Sequence, residues 1–146
     1  MSTPASSCAL REVTVRRGTR EILAKCTFAI PSSVRMALLG ASGSGKSTVL
    51  HLLAGLEAPT DGRVLVNEAV ASEAGRIVVP ASRRHIAMVF QDLGLWPAQT
   101  ALQNVLIGLD GSDLSQRQRR KRAVTALEVC RIDGLGGRMP STLSGG

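Results

Sequence analysis

Aromatic residues are nearly missing from this chain. Phe28, Phe90 and Trp96 are the whole set in 146 residues, and there is no tyrosine. A core must therefore be assembled from Leu, Val, Ile and Ala, and the cations have no stacking platforms beside them of the kind that single-stranded nucleic acid uses. Cysteine is scarce as well. Cys8, Cys26 and Cys130 form an odd set with no C-x-x-C spacing, which argues against a disulfide framework or a zinc site and for a reduced, cytosolic setting. His51 and His85 are the only histidines, and neither has the context of a catalytic triad. No apolar run approaches the roughly 18 residues that a membrane-spanning helix needs. Met1 to Ser7 lacks the basic and then apolar stretch of a secretory signal, and residues 1–9 are expected to form a disordered tail.

Acidic residues are outnumbered, 11 against 18 Lys and Arg, for a net charge of +7. Such a balance keeps nucleic acid or an anionic membrane surface open as partners. The densest basic run, Gln116 to Arg122, leads into Ala123, Leu127 and Cys130 at i, i+4, i+7, with Val124 beside them. That pattern predicts the solvated first turns of an amphipathic helix in preference to a binding patch.

What the chain does have is one strong motif. Gly40-Ala41-Ser42-Gly43-Ser44-Gly45-Lys46-Ser47-Thr48 matches the phosphate loop G-x-x-x-x-G-K-[ST] at every fixed position. The glycines let the backbone curl so that successive N–H groups face phosphate oxygens. The following helix adds the positive end of its dipole. Lys46 is the residue that reaches the β- and γ-phosphates, and Ser47 the hydroxyl that ligates Mg²⁺. Val34 to Leu39 reads as a buried strand entering the loop, while Val49, Leu52, Leu53 and Leu56 repeat at helical spacing, with Gly55 at the helix end.

Around the motif, Leu10–Val15 and Ile22–Ile30 read as an antiparallel hairpin turning at Gly18-Thr19. Pro59-Thr60-Asp61-Gly62 is a turn before a short strand at Val64–Val66. Residues 68–81 read as loop, Ile86–Phe90 as a buried strand, and the remainder as two helices, one carrying Leu102, Val105, Leu106 and Leu109, the other running from about Ser112 to Arg131. The order predicts an α/β chain: an antiparallel β layer plus phosphate-loop core over residues 10–97, then an α-helical subdomain over residues 98–146.

Three segments together resemble the nucleotide-binding domain of ABC transporters. The phosphate loop comes first. Val89-Phe90-Gln91-Asp92, some 45 residues later, stands where that family has its Q-loop. Leu143-Ser144-Gly145-Gly146 looks like the start of the signature LSGGQ. The roughly 100 residues separating loop and signature match transporters and not the related DNA-repair ATPases, whose signature follows a long coiled-coil insertion. The segment from Arg83 to Pro97 is similar to importers of ions, polyamines and sugars.

The resemblance implies a P-loop NTPase fold and an ATPase coupled to transport. Its cofactors would be ATP and Mg²⁺, with Ser42 to Thr48 on the phosphates and Ser47 and Gln91 on the metal. Leu143, Ser144, Gly145 and Gly146 would act in trans on the nucleotide of a second nucleotide-binding subunit in a head-to-tail dimer. Transmembrane permease subunits would be the other partners, with Trp96 able to line the groove for a coupling helix, and no direct nucleic-acid role is expected. The location implied is the cytoplasmic face of a membrane. Where the family stacks an aromatic on adenine, this chain offers Arg17.

The sequence also departs from the pattern. It holds no apolar strand ending in Asp-Glu (Walker B), hence no general base, and Gly146 is its last residue. The 146 residues are therefore expected to be an incomplete domain that binds but does not hydrolyse ATP, with no catalytic residue of their own. A catalytically dead regulatory module and a nucleic-acid-associated ABC ATPase are the alternative readings.

Overall fold

The computed structural model describes residues 6–144. Two compact units divide the chain, Met1–Met88 and Val89–Gly146.

The first unit is built on five strands: β1 (Ser6–Arg17), β2 (Arg20–Pro31), β3 (Asp61–Val66), β4 (Ala69–Glu73) and β5 (Arg76–Ile77). They form one sheet in the order β2-β1-β3-β4-β5, and every neighbouring pair is antiparallel. The hairpin of β1 and β2 turns where Gly18 supplies a φ of 60°, and Arg17 pairs with Arg20 across it. Along β1 the apolar residues fall at Leu10, Val13 and Val15, a spacing broken between the first two. The pairing absorbs that break as an irregularity of register, between Leu10 and Val13 toward β2 and between Arg11 and Thr14 toward β3. All three side chains consequently point into the core.

One helix, α1 (Lys46–Ala54), packs on this sheet. Val49, Leu52 and Leu53 recur on its buried side and meet Leu10, Val13, Val15 and Val64 in a single cluster. Gly55 ends it in a left-handed conformation, φ 80°. The Gly55 N–H donates to Leu52 O and the Leu56 N–H to His51 O, at 3.2 and 2.9 Å, the paired closure of a Schellman motif. Leu56 lies beyond that stop and is exposed, although it continues the helical spacing.

The structure corrects four expectations. Val34 to Leu39 are not a buried strand: they pair with no neighbour among the described residues, and Leu39 is 87% exposed. The same holds for the run ending at Val89 and Phe90, with Val89 86% exposed. Apolar composition marks strand-forming segments, but a strand needs a hydrogen-bonding neighbour, and neither run finds one here. Residues 68–81 are not loop throughout, since they supply β4 and β5. Residues 6–9, expected in the tail, already belong to β1; residues 1–5 lie outside the described residues.

The second unit holds α2 (Ala101–Ile107) and α3 (Gln116–Val129). Each starts at a reciprocal capping box, Thr100 with Gln103 and Ser115 with Gln118. Asn104 braces the entry to α2, accepting from the Trp96 N–H at 2.7 Å and donating to Trp96 O, Gln99 O and Thr100 O. Ala123 and Leu127 are the buried positions of α3, while Cys130, grouped with them by spacing, is exposed and follows the helix.

Candidate phosphate-binding site

The phosphate loop sits between the exposed residues 34–39 and the N-terminus of α1. Gly45 is its tightest point. Its φ is 90°, and a Cβ there would stand 2.7 Å from Leu23 Cδ2 and 3.2 Å from Ile22 O, so the loop lies directly on β2. Only glycine fits that approach.

From the first helical position the Lys46 side chain folds back over the loop. Its Nζ donates to Gly40 O at 2.8 Å and Ala41 O at 2.7 Å, and lies 3.4 Å from Ser44 Oγ. The ammonium is thus poised at the loop's own concave face, satisfied by neutral acceptors that an anion would outbid. Thr48 is buried against the core and Ser47 is exposed.

The contrast with the other helices is informative. α2 and α3 close their N-termini with side-chain caps, whereas α1 has none. The first N–H groups of an α-helix have no intrahelical partner. At α1 they open onto a glycine loop and a lysine, with the positive end of the helix dipole behind them. This donor set fits a polyphosphate bound with a divalent cation; Ser47 is the hydroxyl it offers a metal.

The remaining predicted positions are placed as follows. Arg17 ends β1 and is paired with Glu57, Nη2 to Oε2 at 2.9 Å. Gln91, exposed in a turn, belongs to the second unit. So do Leu143 and Ser144, which line a cleft of about 380 Å³ together with Ile132, Leu135, Arg138 and Thr142. Gly145 and Gly146 lie outside the described residues. Trp96 is 63% exposed. Among the described residues no cluster of three or more His, Cys, Asp or Glu could hold a metal alone, and no helix is long and apolar enough to cross a membrane.

Sequence reasoning passed over Arg84. Its guanidinium is buried and spans α1, β4 and the turn at Val79. Burial lowers its pKa, opposed by the nearby Cys8 thiol. No sequence signal separates it from its neighbour Arg83.

A phosphate loop opening a helix against an antiparallel layer defines a P-loop nucleotide-binding protein. Comparison with known families is specific. The family model described as ABC transporter matches residues 23–146, and the chain belongs to that family. Among curated relatives, the Fe(3+) ions import ATP-binding protein FbpC of Brucella suis biovar 1 (strain 1330) is 39% identical over 140 residues, covering 96% of this chain and 38% of that protein. The spermidine/putrescine import ATP-binding protein PotA of Methylococcus capsulatus (strain ATCC 33009 / NCIMB 11132 / Bath) is 38% identical over 143 residues, 97% of this chain and 32% of that one. The chain therefore spans under two fifths of the length of these relatives. Among solved structures, the dimeric MJ0796, a bacterial ABC transporter cassette, superposes with a TM-score of 0.79 at 31% identity over 94% of this chain and 63% of that one. The same cassette in a post-hydrolysis state bound to ADP and Pi gives 0.73 at 27% identity.

Proposed function

We propose that this chain supplies the MgATP-binding part of an ABC importer's ATP-binding subunit. The observation that carries the reading is the start of α1, left without a side-chain cap, with Lys46 curled over Gly40 O and Ala41 O. On this reading the loop from Gly40 to Thr48 holds the phosphates through its amides, and Lys46 leaves the carbonyls for phosphate oxygens. Ser47 would hold Mg²⁺, which when bound would supply charge neutralisation to the phosphates. Gln91 is the second metal ligand that the family resemblance implies, and Arg17 a guanidinium plane offered to the base.

Leu143 and Ser144 are proposed to present their cleft to nucleotide held by a second ATP-binding subunit, and Gly145 and Gly146 are proposed, from the family resemblance alone, to act with them. The dimeric cassettes among the structural relatives support that arrangement. The exposed Trp96 supports docking to a transmembrane permease subunit on the cytoplasmic face of a membrane. Iron or polyamine cargo is suggested by the names of the relatives. Hydrolysis belongs to the whole subunit: residues 1–146 include no strand ending in Asp-Glu, and on their own they are proposed to bind nucleotide without turning it over.

Equilibrium binding of a fluorescent ATP analogue tests the reading. Saturable, Mg²⁺-dependent binding displaced by ATP is expected, and the absence of displacement would refute it.

A further inference from the structure

Arg84 is 2% exposed. The four ion pairs found among the described residues all involve other side chains, so this guanidinium is buried without a carboxylate. Its partners are neutral. Nη1 donates to Leu52 O at 2.8 Å and Leu53 O at 3.0 Å; Nη2 donates to Ala71 O at 2.9 Å and Ser72 Oγ at 2.5 Å; Nε donates to Val79 O at 2.8 Å.

Stability alone is a poor account of such a group. Burying an ion costs desolvation free energy, and an apolar side chain of similar volume often stabilises as much or more. What an apolar side chain lacks is the planar fork. That fork fixes the direction of each segment it binds as well as the distance. Leu52 and Leu53 belong to the last turn of α1, whose carbonyls carry the negative end of the dipole. Ala71 and Ser72 belong to β4. The guanidinium therefore locks the C-terminal end of α1 to one particular strand.

The other end of α1 is fixed too, by Gly45 lying on Leu23 and Ile22 of β2. In the sheet order β2-β1-β3-β4, the two fixed points are three strand spacings apart, about 14 Å. A nine-residue helix is about 13.5 Å long, comparable to that span. The helix thus bridges the sheet between two clamps.

We propose that Arg84 is a positioning residue for the phosphate loop: it registers the C-terminal end of α1 against β4, and the helix transmits that register to Lys46 and the loop amides. This rests on the nucleotide-binding reading above. Arg84 touches no phosphate itself. It acts through α1.

The test compares MgATP affinity, by titration calorimetry on the full-length protein, for Arg84→Met, Arg84→Lys, Leu65→Ala and Lys46→Met, at a temperature where each variant is folded by near-UV circular dichroism. Leu65 is a buried residue of β3 outside the cluster that meets α1, and its truncation is a control for destabilisation alone. Arg84→Met is expected to bind about tenfold more weakly. Arg84→Lys, which keeps the charge but loses the fork, should recover only part of that loss, and Leu65→Ala should stay within about twofold of wild type. If Arg84→Met binds like Leu65→Ala while Lys46→Met binds poorly, the positioning role is overturned and the nucleotide reading stands. If Lys46→Met binds normally, the nucleotide reading itself fails and the role of Arg84 falls with it. Should Arg84→Met not fold, Ser72→Ala removes one prong's acceptor. Faster hydrogen exchange at the amides of Lys46 to Thr48 supports the role, and unchanged exchange there overturns it.

Discussion

Lys46 Nζ stands 2.8 Å from the carbonyl oxygen of Gly40, so the ammonium closes over the loop from which it springs. Two carbonyls and a hydroxyl occupy the donors that a phosphate would take. On the proposed reading the side chain that must move is Lys46, and it is held by neutral acceptors alone. Four consequences can be measured.

Gly45→Ala places a methyl group 2.7 Å from Leu23 Cδ2 and forces a non-glycine residue to φ 90°. The strain costs at least ~1 kcal/mol, and relieving it lifts the loop from β2. Chemical denaturation should show the destabilisation, and nucleotide affinity should fall with it. Wild-type values for both would show that the contact with β2 is dispensable.

Leu52→Ala removes a fully buried side chain from the cluster joining α1 to the sheet. A loss of about 2–5 kcal/mol is expected, read as a lowered denaturation midpoint at unchanged slope. A loss under ~1 kcal/mol would mean that the site collapses to fill the cavity.

Thr100→Ala deletes half of the capping box of α2. A cost of about 1 kcal/mol should appear as faster amide exchange at the start of α2, whose capping contacts all lie within the second unit. Equal acceleration in α1 would contradict that locality.

The thiols should separate by reactivity. Cys130 is exposed, while Cys8 and Cys26 are half-buried. Burial raises the pKa of both above 9.0, with Ser7 and then Arg84 opposing the rise at Cys8. Because the thiolate is the reactive species, Cys130 should label first with iodoacetamide, and the other two slowly even at alkaline pH. The sign for stability follows. The unfolded thiols ionise first, so the contribution of these two groups is present below pH 9.0 and declines as the pH climbs through their raised native values. Simultaneous labelling of all three thiols in the native protein would contradict the packing around β1 and β2.

Much of this was legible in the sequence. The phosphate loop declares itself because its chemistry requires fixed spacing, and Gly45 proves to be held at a φ of 90° that favours glycine, close against Ile22 and Leu23. The first hairpin follows from alternation and a Gly-Thr turn. β4 was illegible for a physical reason: its buried positions are Ala71 and Ser72, and a buried serine breaks the apolar pattern. What makes that serine tolerable is Arg84, twelve residues further on. Arg84 itself could not be singled out, since four of its five acceptors are backbone oxygens, which every residue type carries. Val34 to Leu39 and Ile86 to Phe90 misled in the opposite way, because apolar composition says nothing about whether a neighbouring strand is at hand.

Titration calorimetry of MgATP against Lys46→Met tests the central claim most directly. One charge-assisted contact is worth about 1.5–3 kcal/mol, so the account predicts binding weakened by roughly 10- to 150-fold, with the fold intact by circular dichroism. Wild-type affinity in that variant would contradict it.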